Sequence, residues 1–180
     1  MHLACDAFNT HAVVKLRNRK LRVDKPFAVM MPDLATIEMF CHVSAAERSL
    51  LESPARPIVI LQQRSGSAIA SQVAPGQSTL GVMLPYTPLH SLLFSPLLSE
   101  LPSSSPPQVL VMTSGNLCEE PIAIDNNDAR SQLSKLVDGF LFHDRPIRTR
   151  CDDSVVQAMV HSHSVSVLRR SRGYSPDPIQ

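Results

Sequence analysis

The chain has 180 residues, 43% hydrophobic and 18% charged, a balance that fits a folded domain and excludes disordered, collagenous or mucin-like polypeptides. Aromatics are 4% and Trp is absent, so the core must be mostly aliphatic. A net charge of +1 argues against a dedicated electrostatic nucleic-acid binder, although a local patch could still serve.

The elements alternate along the chain. Asn9 or Thr10 can cap a helix running to about Arg19, with Ala12, Val13 and Leu16 on one face. Pro26 to Met31 is a compact apolar run, a buried strand. Asp33 caps a short helix, and Ser44 with Glu47 forms the capping box of the next, which Pro54 and Pro57 close. Ile58 to Leu61 is a second buried strand, residues 64–78 a polar loop, and Ser78 to Leu84 a third strand. Thr87 and Pro88 open a short helix as N-cap and first helical residue. The stretch Leu101 to Gln108 reads as an exposed loop, and Val109 to Met112 as a strand ending in TSGN. Asp125 caps a helix to about Val137, Gly139 to Phe142 reads as a short strand, and SVVQAMV and SVSVLR pair as a hairpin around HSHS. Short buried strands between helices predict an α/β layer fold with a mixed sheet.

Four stretches could carry chemistry. Lys15, Arg17, Arg19, Lys20, Arg22 and Lys25 put six cations within eleven residues, and the last of them fall on a loop feeding a buried strand. Such a loop offers cations to phosphate oxygens, although a solvated face has the same pattern. MTSGNLCEEP begins where a strand ends, the usual ligand position in α/β folds. There Ser114 offers a hydroxyl, Gly115 close backbone approach, and Asn116 a donor and an acceptor; an ordinary turn would use the same residues. In HDRPIRTRCDDS, one of Asp152 and Asp153 could hold magnesium, or both could neutralise Arg148 and Arg150. His143 there could be an acid or base, or simply a hydrogen-bonded loop His. Tyr86 and Thr87 stand at a helix N-terminus as a possible anion site or as packing, and LRRSRGY adds Arg169, Arg170 and Arg172. No Walker A loop, GxGxxG, nucleophile elbow or triad spacing occurs, so the pattern alone gives an α/β domain with an anion-binding pocket. Cys5, Cys41, Cys118 and Cys151 form no CxxC pair and match no zinc spacing, and read as reduced thiols.

RKLRVDKPFAVM, SPARPIVIL, TLGVMLPYTPLH, VMTSGNLCEEPIA and HDRPIRTRCDDSVV, in that order, resemble the YrdC-like domain of the HypF carbamoyltransferases, which mature nickel–iron hydrogenases. The likeness runs from HLACDA to LRRSRGY. It implies an open twisted mixed sheet with flanking helices, of the YrdC/RibB type. It also implies an activity: carbamate, released from carbamoyl phosphate elsewhere in the protein, reacts with ATP and magnesium to give carbamoyl-adenylate and pyrophosphate. The remaining HypF domains would pass the carbamoyl group to the C-terminal cysteine of a maturation partner. Lys20 and Arg22 match the family's K-x-R and would hold the triphosphate; Ser114 and Asn116 match S-x-N and would hold nucleotide. Arg150, Ser154 and Arg170 carry over more loosely.

The same resemblance predicts a domain at 1–174 that lacks its first strand and helix and a KGxGG-like loop, with 175–180 as linker or end, and therefore a fragment. Two further readings stay open: a double-stranded RNA-binding module using the Lys15 to Lys25 cluster, and a threonylcarbamoyl-adenylate synthase acting in tRNA modification. No stretch approaches the roughly 20 apolar residues of a membrane span, and MHLACDAFNT lacks the regions of a signal peptide, so a cytoplasmic setting without a membrane partner is expected.

Overall fold

The computed structural model describes residues 1–95, 107–117, 120–159 and 164–176. Among them, eight strands form one mixed sheet: β1 (His2–Asp6), β2 (Ala28–Met30), β3 (Cys41–His42), β4 (Ile58–Gln63), β5 (Thr79–Met83), β6 (Leu110–Ser114), β7 (Val155–Met159) and β8 (Ser164–Arg169). Their order is β1-β6-β2-β5-β4-β7-β8, with β3 paired to β4 off that path. Pairs β2·β5 and β4·β7 are parallel and the rest antiparallel. The expected mixed α/β sheet with flanking helices is what forms.

Period-2 alternation gives the sheet two different faces. Leu3, Val29, Val59, Val82, Val111 and Val156 belong to the main core. Helices α1 (Thr10–Arg19), α2 (Leu34–Phe40), α3 (Ala45–Glu52) and α5 (Asn126–Leu133) add Val13, Leu16, Ile37, Leu51, Ala129 and Leu133 to it. On the other face Met30, Ile58, Met83, Leu110 and Met112 make a smaller cluster. Against that cluster Leu93 of α4 (Pro88–Leu93) and Phe94 pack.

The helix starts follow the sequence. Asn9, not Thr10, accepts from Ala12 N at 3.0 Å, Asp33 from Thr36 N at 2.7 Å, and Asp125 from Asn127 N and Asp128 N. Ser44 and Glu47 close their box reciprocally. The strand read at Gly139 to Phe142 is absent: those residues are irregular, with Phe140 and Phe142 stacked on each other at 5.3 Å. The Asp125 helix stops at Leu133 and continues only as turns. Strands β1 and β3 form where no strand is expected. The stretch 101–106, read as loop, Cys118, and residues 160–163 of the expected hairpin lie outside the described residues, while β7 and β8 pair antiparallel.

β1 and β7 are separated by four strands in the sheet order. In a flat sheet that is about 24 Å, five spacings of about 4.8 Å. Yet His2 of β1 and Asp153, just before β7, are 3.2 Å apart. The sheet therefore curls around its second face, and the chain before β7 reaches across it.

Candidate functional site

That concave face holds a cleft of about 270 Å³. Its floor is a register row: Met112 opposite Ala28, Ala28 opposite Gly81, Gly81 opposite Ile60. A Cβ at Gly81 would sit 2.9 Å from Ile58 Cγ2, so glycine keeps the floor low. The walls carry the polar groups: Arg22, Thr113 and Ser114 from the linker and β6, then His2, Cys151, Asp152, Asp153 and Arg169.

Lys20 caps the C-terminus of α1 and is almost wholly buried. Its ammonium donates to Ser114 O at 2.7 Å, Asn116 O at 2.6 Å and Asn116 Oδ1 at 2.8 Å. Asn116 Oδ1 also accepts from Ser114 Oγ at 2.7 Å, and Asn116 Nδ2 donates to Glu120 O at 2.5 Å. The linker cation and the TSGN corner, 94 and 96 residues apart, are thus one hydrogen-bonded unit, which reaches the cleft wall through Ser114, while Lys20 and Asn116 are not among the residues that line it. Gly115 does permit a close approach, but of Met1 backbone: a Cβ there would lie 3.1 Å from Met1 O. Arg22 lines the cleft, donates to Lys25 O at 3.0 Å and Pro26 O at 2.7 Å, and stacks 5.2 Å from the Phe27 centroid.

The other expected residues separate. Arg150 donates to Ile122 O at 3.0 Å, beside the cleft wall that Ile122 forms. Ser154 is fully buried; its hydroxyl donates to Arg172 O at 2.9 Å and accepts from Ser171 N at 2.8 Å, so it ties down the start of β7 instead of facing the cleft. Arg170 is exposed beyond the end of β8, away from the lining. The cation cluster also divides. Lys15 and Arg19 both bind Asp138, at 2.9 Å, on a solvated face. Arg17 is buried and donates only to carbonyls, those of Arg22, Val23, Lys25, Gln72 and Val73. It pins the very loop that carries Arg22.

The expected pairing of Asp152 and Asp153 with Arg148 and Arg150 is not what forms. Asp153 faces His2 Nε2 at 3.2 Å and Arg172 Nε at 3.0 Å, and Asp152 lies 3.7 Å from Arg169. Distant partners win because residues 151–153 cross the concave face, while Arg150 turns away to Ile122. Burial would raise the Asp153 carboxyl, but the hydrogen bonds and charges of His2 and Arg172 outweigh it and hold it well below the usual carboxylate range. Arg172 also donates to Ala55 O and Arg56 O and lies 3.5 Å over the Tyr86 ring. Tyr86 is therefore packed into this cluster, while Thr87 spends its hydroxyl capping His90 N. His90 stands edge-on to Tyr86 and His2, with Nδ1 buried and without a hydrogen-bond partner among the described residues. Burial, then the charge on His2, push its imidazole down to about 4. His2 is the cleft-side residue that sequence reasoning missed; its contacts with Tyr86 and Asp153 span 84 and 151 residues, and no local spacing reports them.

His143 is an exposed loop histidine that accepts from Arg145 N at 3.1 Å. Among the described residues no group of three or more His, Cys, Asp or Glu is placed to hold a metal ion. Cys5, Cys41 and Cys151 are free thiols, and burial pushes Cys5 up to about 11 and Cys41 up to about 12. No described helix is long and apolar enough to cross a membrane.

The concave mixed sheet, with a polar-walled cleft to which the linker gives Arg22 and the TSGN corner Ser114, is an α/β domain of the Sua5/YciO/YrdC family, to which the chain belongs: the family model, described as "Telomere recombination", matches residues 1–171. The chain is 47% identical to the carbamoyltransferase HypF2 of Cupriavidus necator, over 99% of its own length and 23% of the relative's. It is also 47% identical to the carbamoyltransferase HypF of Synechocystis sp., over 99% of this chain and 22% of that one. It thus spans about a quarter of the length of these relatives. Among solved structures, full-length HypF in a phosphate- and nucleotide-bound form is 44% identical with a TM-score of 0.87, covering 99% of this chain and 26% of that one. Sua5 of P. abyssi complexed with L-threonine, 16% identical with a TM-score of 0.75 over 94% of this chain and 47% of that one, shares the fold.

Proposed function

We propose that this domain forms an acyl-adenylate within a HypF-type carbamoyltransferase. A carbamate oxygen attacks the α-phosphorus of ATP, the bond from that phosphorus to the bridging oxygen breaks, and pyrophosphate leaves. Carbamate is already anionic, so no protein base or nucleophile is required. The protein's task is to align the two anions and offset charge on the leaving group.

The observation that carries this reading is the junction of Lys20 with Asn116 and with Ser114, which lines the cleft. A phosphate oxygen replacing Asn116 Oδ1 on the Lys20 ammonium would gain a full charge interaction in a sheltered place. Arg22 lines the same cleft and can meet a neighbouring phosphate as a planar fork. Similarity to HypF carbamoyltransferases over nearly the whole chain supports the same reading. Magnesium would enter as MgATP, held mainly by the phosphates, since Asp153 is already committed to His2 and Arg172. Other domains of the longer protein would release carbamate from carbamoyl phosphate and pass the carbamoyl group to the maturation partner's cysteine. RNA binding is less well supported, because Asp138 already occupies two of the six cations.

Titration calorimetry with MgATP tests the reading. The chain should bind it, and Lys20→Ala or Asn116→Ala should each weaken binding about tenfold, roughly 1.4 kcal/mol. Unchanged affinity would remove those residues from the site, and an absence of nucleotide binding by the unaltered chain would end the proposal.

A further inference from the structure

The nucleotide reading gives Arg22 a phosphate and leaves Phe27, in the same cleft, without a task. Strand β2 and Met31 beyond it carry no aromatic ring, and Phe27 is the one Phe, Tyr or Trp among the residues that line the cleft. It is almost wholly buried, 1% exposed. Two guanidiniums lie over its ring: Arg17, at 4.8 Å from the centroid, and Arg22, at 5.2 Å.

The two cations are held differently. Arg17 donates to Gln72 O and Val73 O, and Phe27 N donates to the same Val73 O at 2.8 Å. Arg17, the ring and residues 72–73 therefore form one buried block. Arg22 is half-buried at its margin and lines the cleft. Its Nε and Nη2 donate to Lys25 O and Pro26 O, three and four residues along the same exposed linker. Those acceptors move with the linker, whereas the ring belongs to the core. An arginine that a ligand must first order loses rotamer entropy on binding, and a brace in place beforehand removes that cost. An aromatic face attracts a guanidinium through its quadrupole, which an aliphatic side chain of similar volume cannot do. Base stacking, the usual task of a ring in a nucleotide cleft, needs an open face, and this ring is buried beneath two cations.

Building on the nucleotide-binding reading, we propose that Phe27 is a positioning residue: its π-face holds the Arg22 guanidinium at the cleft before nucleotide arrives, so that the fork meets phosphate already ordered. Phe27 acts through Arg22 and touches neither phosphate nor base.

The experiment uses the whole chain with mono-, di- and trifluorinated phenylalanine in turn at position 27, which keep the shape of the ring and progressively weaken the negative potential of its face. Calorimetry reads the MgATP Kd of each. It should rise stepwise with every fluorine, to about fivefold for the trifluorinated ring. The same series in an Arg22→Ala background should be flat. Arg17 still lies over the ring there, so a trend that persists belongs to Arg17 or to base stacking and overturns the assignment. A flat series in the chain that keeps Arg22 overturns it as well. If the unaltered chain binds no MgATP, the nucleotide reading fails separately, and the brace is read in the free protein by NMR. The Arg22 Nε proton, assigned by its loss in Arg22→Ala, should then exchange with water about fivefold faster in the trifluorinated protein. Equal exchange rates overturn the proposal.

Discussion

Arg17 stands among six cations in the sequence, and its placement separates it from the other five. It lies one helical turn after Val13 on the inward face of α1, and its guanidinium fork spreads over carbonyls of residues 22, 23, 25, 72 and 73. A lysine there keeps the charge but cannot span those acceptors. Orphaning buried carbonyls costs about 1–3 kcal/mol each before relaxation. Arg17→Lys should therefore lower the unfolding free energy by about 2–4 kcal/mol in urea titrations, and should loosen the Arg22 loop enough to weaken MgATP binding. A loss below about 0.5 kcal/mol would show that the fork is incidental. Arg17 is in phase with Val13, although the sequence reading counted it with the phosphate-facing or solvated cations. The pairing of Asp153 with His2 was not readable, because it depends on how far the sheet curls, and adjacent Arg148 and Arg150 offered a nearer but wrong solution.

At the scale of elements, α1 ends in a way that places Lys20. Arg22 N bonds Arg17 O at 3.0 Å and Leu21 N bonds Asn18 O at 3.1 Å, the paired contacts of a Schellman closure. Its left-handed position is filled by Leu21, with φ of 54° and a side chain 71% exposed. A non-glycine residue there costs roughly 1–2 kcal/mol, and little burial is lost on replacing it. Against that stands the greater freedom of glycine in the unfolded chain, up to about 1 kcal/mol. Leu21→Gly should thus raise stability by about 0.5–1 kcal/mol, read as a higher urea midpoint at unchanged slope. A lower midpoint would mean that Leu21 makes a contact the native state needs. The helices and central strands were legible because caps and apolar runs act locally: Ser44 with Glu47, Thr87 with Pro88, IVIL, VLVM. β1 and the Gly139 to Phe142 stretch misled for one reason. A strand needs a partner as well as a pattern: HLACD finds β6, whereas Phe140 and Phe142 stack on each other and Phe142 takes Arg130 at 5.0 Å.

For the molecule as a whole, the curl of the sheet gathers His2, Tyr86, His90, Asp153 and Arg172 into one partly dehydrated cluster, and acid should act on the fold through it. His90 is neutral in the folded state because burial, then His2, lower its imidazole to about 4 from an ordinary 6.5. Between those values the unfolded chain binds a proton that the folded chain refuses, so stability falls as pH drops from 6.5 toward 4. The full gap corresponds to about 3 kcal/mol. Asp153 acts in a lower window: its depressed carboxyl contributes stability above its ordinary range near 3.8, which is lost as pH falls further. The two windows can be told apart. Urea unfolding at pH 7.5, 5.5 and 4.5 should show a steady loss, and His90→Leu should flatten most of it at whatever stability the variant has at pH 7.5. Asp153→Asn should keep the His90 slope in that range and lose acid sensitivity only below pH 4. If His90→Leu leaves the slope intact, the proton enters elsewhere, and the histidine between Tyr86 and His2 is hydrated in solution.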